Sequence, residues 1–259
     1  MRRIIIIGTA LAALIGAGVA YAALNTYGAN SKFSPSKAGS SRSPSPIAWT
    51  ENYQASGTGG NRTAPLTDVK WKIYGLVSNG KDFPTCSLAK IAAAKSDSGC
   101  PHGAMISNGS ITSVIGPTAD PSANASGTVE CDPILHEWNA GQGKVVLFFV
   151  IQPPNHACDG LTTGAVGPYQ ATAKQQGKFW VLDTPVPRYV SFPLGGIEGS
   201  VKTLHEAHMR LTKKVHGKTV AYLASVGCKA GKRPWSVSFT AESASGAKET
   251  SSVSGKAKC

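Results

Sequence analysis

Six cysteines constrain this chain more than any other feature, because Cys86, Cys100, Cys131, Cys158, Cys228 and Cys259 all lie downstream of a segment built for export. Met1-Arg2-Arg3 is a short basic region, Ile4 to Val19 is an uncharged apolar run, and Ala20-Tyr21-Ala22 presents small residues in the A-x-A manner. Residues 1–22 therefore read as a signal peptide cleaved after Ala22. The rival reading is an uncleaved anchor, since Ile4 to Leu24 carries no charge and at ~1.5 Å per residue spans a ~30 Å hydrocarbon core. No cysteine near the cleavage site offers itself to a lipid. In an oxidising compartment an even cysteine count reads as three disulfides, and order alone does not choose the connectivity. Pairing of neighbours is the expectation: Cys86 with Cys100, Cys131 with Cys158, and Cys228 with Cys259. No C-x-x-C pair is present, so a cysteine-held zinc is not expected.

Between these cysteines the chain is punctuated by 29 glycines and 16 prolines, and the apolar runs they bound are short and rich in Val, Ile, Phe, Trp and Thr. That is strand chemistry. Val69, Trp71 and Ile73 alternate with Lys70, Lys72 and Tyr74, the pattern of a strand with one buried face. The run from Lys144, KVVLFFVIQ, is apolar on both parities and reads as a strand covered on both sides. One segment, Ser87 to Ser96, has helix-forming composition. The class expected is all-β: an antiparallel, jelly-roll-like β-sandwich with one short helix, stabilised by disulfides. Asn25 to Pro46 offers little to bury, so residues 23–46 read as a flexible low-complexity tether and 47–259 as a single domain.

The residues Phe83-Pro84-Thr85-Cys86, then Cys100-Pro101-His102-Gly103-Ala104 leading to Gly109, with Gly231-Lys232-Arg233-Pro234-Trp235 and Cys259, resemble a family of secreted, cysteine-containing, β-rich proteins of high-GC Gram-positive (actinobacterial) bacteria. The resemblance spans roughly Ile47 to Cys259, and the spacing from Cys86 to the Cys-Pro-x-Gly unit is its most specific part. It implies export, disulfides and a β-rich fold, and it brings no activity or site residue with it.

Motif-borne chemistry is scarce. No G-x-S-x-G elbow and no phosphate-binding glycine loop occurs. Ser87-Leu88-Ala89-Lys90 matches S-x-x-K, but the S-D-N and K-T-G partners are missing, so an ordinary helical turn is the reading. His205-Glu206-Ala207-His208 is the one histidine cluster; its spacing misses H-E-x-x-H, and surface histidines are expected. His136-Glu137 with Asp132, and Asp159 near His156, are close only in sequence. No catalytic, cofactor-binding or metal-binding residue is assigned. Trp138 and Trp235 lie nearest to glycine- or proline-bounded loops and are the candidate exposed ligand contacts.

The formal net charge of +12 favours anionic partners, but no block of five basic residues appears, so nucleic acid is not expected. A membrane enters only through an uncleaved N-terminal segment. The leading expectation is a secreted, cell-envelope-associated, non-enzymatic protein that binds anionic envelope polymers. A carbohydrate- or small-ligand-binding module using Trp138 or Trp235 is the alternative, and a secreted hydrolase assembled only in three dimensions the next.

Overall fold

Trp49, Glu51, Tyr53 and Ala55 are buried while the residues between them are not, and this period of two recurs along nearly every strand. A computed structural model describes residues 23–151 and 166–259. The expected signal peptide or anchor, and Cys158, lie outside the described residues; among those described, no helix is long and apolar enough to cross a membrane.

The strands in chain order are β1 (Asn25–Ser34), β2 (Ser45–Pro46), β3 (Ala48–Gly57), β4 (Leu66–Tyr74), β5 (Leu76–Ser78), β6 (Met105–Pro117), β7 (Val129–Cys131), β8 (Ile134–Gly141) and β9 (Lys144–Val150). They continue with β10 (Val166–Gln176), β11 (Phe179–Pro185), β12 (Ile197–His208), β13 (Thr212–Val215), β14 (Lys218–Ala221), β15 (Leu223–Ser225), β16 (Lys232–Glu242) and β17 (Lys248–Lys258). Among the described residues two short α-helices, α1 (Leu88–Ala94) and α2 (Arg188–Ser191), and a single 3-10 turn, Gly80–Asp82, interrupt them.

The fold is all-β and antiparallel. One sheet runs β1-β3-β12-β6-β8-β9-β10-β11-β4-β16-β17, with β7 added beside β6. It curls until its halves face each other like a sandwich and its ends nearly meet. There the backbone N–H groups of Leu24 and Asn25 point to the Glu249 carboxylate, and Tyr27 of β1 stacks on Phe239 of β16 with centroids 4.4 Å apart. A barrel this wide needs large side chains to fill it. Trp49, Trp71, Trp180 and Trp235 supply them, meeting one another at 5.5–5.7 Å. Gly255 stands opposite Trp235 in the β16–β17 register, and a Cβ there would strike the indole.

The segment expected to be a tether proves otherwise over its first half: Asn25 to Ser34 forms β1, paired along its whole length with β3. Tyr27, Ala29 and Phe33 of its inward face join the apolar core, and the two polar residues among them are satisfied. Ser31 accepts a hydrogen bond from Trp49 Nε1 at 2.8 Å, and the Asn25 side chain both donates to the Ala64 carbonyl (3.0 Å) and accepts from the Ala64 N–H (2.7 Å). The ordered region thus begins well before Ile47.

The Cys86–Cys100 and Cys228–Cys259 bridges form as expected. Cys131 is buried in β7. The first bridge closes a loop carrying α1, which packs on the outer face of β8 and β9 over Trp138, Val146 and Phe148. The double-sided apolarity of β9 follows: Val145, Leu147 and Phe149 face the lumen while Val146 and Phe148 lie beneath α1. Ser87 caps α1 by accepting from the Lys90 N–H at 3.2 Å, so the S-x-x-K pattern is a helix cap.

Candidate functional site

Two neighbouring rows of side chains cross the inner face of four adjacent strands. Register aligns Glu137 of β8, Ser107 of β6, His208 of β12 and Trp49 of β3 in one row, and Leu135, Gly109, Glu206 and Glu51 in the next. Residues opposite one another share a face, so three carboxyls and an imidazole converge inside the barrel. Gly109 makes the convergence possible: a Cβ there would lie 2.5 Å from the His205 carbonyl oxygen and 3.1 Å from Glu206 Cα. Any larger residue would drive β6 and β12 apart.

Glu51, Glu137 and Glu206 are 3%, 1% and 2% exposed and His208 is 7% exposed. His208 touches all three carboxyls: Nε2 lies 3.5 Å from Glu51 and 3.9 Å from Glu206, and Nδ1 lies 3.6 Å from Glu137. The imidazole stacks on Trp49, centroids 4.1 Å apart and 10° from parallel. Burial, then the charge of Glu206 and a carboxyl–carboxyl hydrogen bond to it, push the Glu51 and Glu137 carboxyls well above the usual range. Burial pushes His208 down, partly offset by Glu206. Tyr53 and Tyr169, buried beside the carboxyls, are held neutral by burial and by those charges. Glu51 Oε2, Glu137 Oε2, Glu206 Oε1, His208 Nε2 and Ser107 Oγ have no hydrogen-bond partner. Orphaned buried polar atoms each cost about 1–3 kcal/mol, so a site holding five of them is poorly explained as a structural core.

Above the carboxyls the lumen opens into a cavity of about 130 Å³. Leu66, Val69, Leu135, Leu147, Phe149 and Leu182 wall it, α2 adds Val190 and Ser191, and Glu51, Glu137 and Glu206 border it.

Sequence reasoning placed the contacts elsewhere. Trp138 is buried on the outer face, its Nε1 donating to Asp97 at 3.1 Å, and Trp235 is buried in the lumen opposite Gly255. Neither borders the cavity. Asp97 also meets His136 Nδ1 at 2.6 Å, which ties the α1 loop to the barrel. The expected surface-histidine cluster divides: on a strand, His205 faces solvent while Glu206 and His208 face inward. A period of two applied to Trp49-x-Glu51-x-Tyr53, Leu135-x-Glu137 and Leu204-x-Glu206-x-His208 is the signal that finds the site.

Fold and site together define an antiparallel barrel whose lumen combines an apolar cavity with a buried carboxyl–imidazole floor. Comparison with protein-family models, curated proteins and solved structures finds no match to this chain, so the function is read from that geometry alone.

Proposed function

We propose that this protein is a small-ligand-binding barrel acting outside the cytoplasm, whose ligand is compact, mostly apolar and carries one polar group that meets the carboxyl floor. The cavity carries the reading. Its volume, about 130 Å³, approaches the roughly 150 Å³ of an apolar cavity that admits benzene. A predominantly apolar wall with a few convergent polar groups is the usual composition of a ligand site. The disulfides suit an oxidising compartment.

The test is calorimetry and ligand-observed NMR with phenol, toluene and benzoate, in chelator-containing buffer. Phenol, able to hydrogen-bond a floor carboxyl, binds tightest; toluene binds more weakly; benzoate, which would carry its charge into the apolar lumen, is excluded. Val69→Phe, which fills the lumen, removes the binding. Failure of both phenol and toluene to bind, or equal binding by the filled variant, defeats the reading.

A second reading, association with anionic envelope polymers, draws on the β13–β14 hairpin. It exposes Lys213, Lys214 and Lys218, none of them ion-paired among the described residues. Sedimentation with washed cell envelopes that fades as salt rises, and fades further in the triple Lys→Gln variant, is its expected signature. Envelope binding indifferent to salt or to those lysines would discard it.

A further inference from the structure

The floor of the lumen carries more chemistry than the recognition of a polar group requires. Glu51, Glu206 and His208 each offer a ligand atom, and these atoms all lie within 4.8 Å of one another. We propose that they hold one divalent transition-metal ion, with zinc the reference cation. Four-coordinate zinc with bonds of ~2.0–2.2 Å sets its ligand atoms about 3.3–3.6 Å apart. His208 Nε2 stands 3.5 Å from Glu51 Oε1 and 3.9 Å from Glu206 Oε1, so small side-chain rotations complete three corners of the tetrahedron.

Three further observations point to an ion. Glu206 Oε1 and His208 Nε2, two of the ligand atoms, are buried with no hydrogen-bond partner, as is the second Glu51 oxygen, Oε2. The two ligand carboxylates, Glu51 and Glu206, balance a dication. Glu137 stands 3.6 Å behind His208 Nδ1, where metal-bound histidines are commonly oriented by a carboxylate; that contact closes to a hydrogen bond once Nε2 is engaged. One imidazole with carboxylates suits zinc, manganese or iron, whereas calcium and magnesium prefer all-oxygen shells. Glu51 and Glu206 also border the cavity. The site does not depend on the cavity reading: either can fail while the other stands.

The full exported chain, stripped with chelator, is dialysed against zinc and its metal content measured. One ion per chain is expected, with Tm rising by about 5–10 °C when free zinc exceeds Kd a hundredfold. Cobalt in its place gives visible d–d bands and quenches Trp49, which stacks on His208. His205→Ala/His216→Ala, which removes two exposed histidines, retains the ion. Glu51→Gln and Glu206→Gln preserve side-chain shape, keep cooperative unfolding, and lose affinity by at least about 100-fold. No retained metal, or equal retention by folded Glu206→Gln, overturns the proposal. Toluene binding measured on the same samples reports separately on the cavity.

Discussion

Glu51→Gln in the metal-free protein is expected to raise stability at neutral pH and to flatten its pH dependence. Burial and Glu206 raise the Glu51 carboxyl well above its usual 4.5. Between 4.5 and that raised value the folded state binds a proton that the unfolded state has released, so stability is greatest below the unfolded value and falls as pH rises. The slope for one such group approaches 1.4 kcal/mol per pH unit, from about 2.3RT. Glu137 on β8 contributes with the same sign. His208 contributes with the opposite sign, because its folded value is depressed and its stabilisation is lost as pH falls below its usual 6.5. Comparing wild type with Glu51→Gln removes the contributions the two proteins share. As pH rises above 4.5 the stability difference should widen in favour of the variant by at most about 1.4 kcal/mol per pH unit, each kcal/mol being worth roughly 2–4 °C in Tm for a chain this size. Urea denaturation at half-unit pH steps, with chelator throughout, measures it. Parallel stability curves, or a variant that loses stability faster as pH rises, would refute the assignment of a buried, proton-holding carboxyl.

Gly109→Ala forces β6 away from β12 and should destabilise by about 1–3 kcal/mol while weakening zinc binding, read by denaturation and metal titration of the same variant. Cys86→Ala/Cys100→Ala opens a bridge of sequence separation 14 and should cost about 3 kcal/mol. Its near-ultraviolet signal should report release of Trp138, while toluene binding in the lumen survives. Arg62→Met strands the buried Glu198 carboxylate that it meets at 3.1 Å, and removes the guanidinium's hydrogen bonds to the carbonyls of Pro117, Asp120 and Ser122. A loss of about 3–5 kcal/mol is expected, with partial recovery on adding Glu198→Gln.

How much of this was legible depends on what each strand buries. β4 and β9 announced themselves through apolar parity, and the helix through its alanines. β1 did not: Asn25 and Ser31 are 2% and 3% exposed yet polar, and only their partners across the barrel make burial tolerable. Tyr27, Ala29 and Phe33 keep the inward parity, but with Asn25 and Ser31 among them the apolar signal is too thin to announce a strand. Trp138 misled for a related reason. Its glycine-rich neighbourhood looks like an exposed loop, but the disulfide-closed α1 segment covers it, and that layer arises from tertiary packing.

The carboxyl floor was legible in a narrower sense. In β3, β8 and β12 a glutamate occupies the parity of Trp49, Tyr53, Leu135 and Leu204, where an apolar residue would cost less. One such violation finds a compensating partner, as Glu198 does with Arg62. Three violations on strands that are not consecutive in sequence carry no sequence-level sign that they meet; only the order β3-β12-β6-β8 brings Glu51, Glu206 and Glu137 to one place. Once they meet, hydrophobic stability argues for their replacement, and the chain retains all three around an unpartnered imidazole nitrogen. Departures from local design rules concentrate at functional sites. The stability that Glu51→Gln should restore is therefore the measure of what the lumen gives up to keep three carboxyls and an imidazole beneath an otherwise apolar cavity.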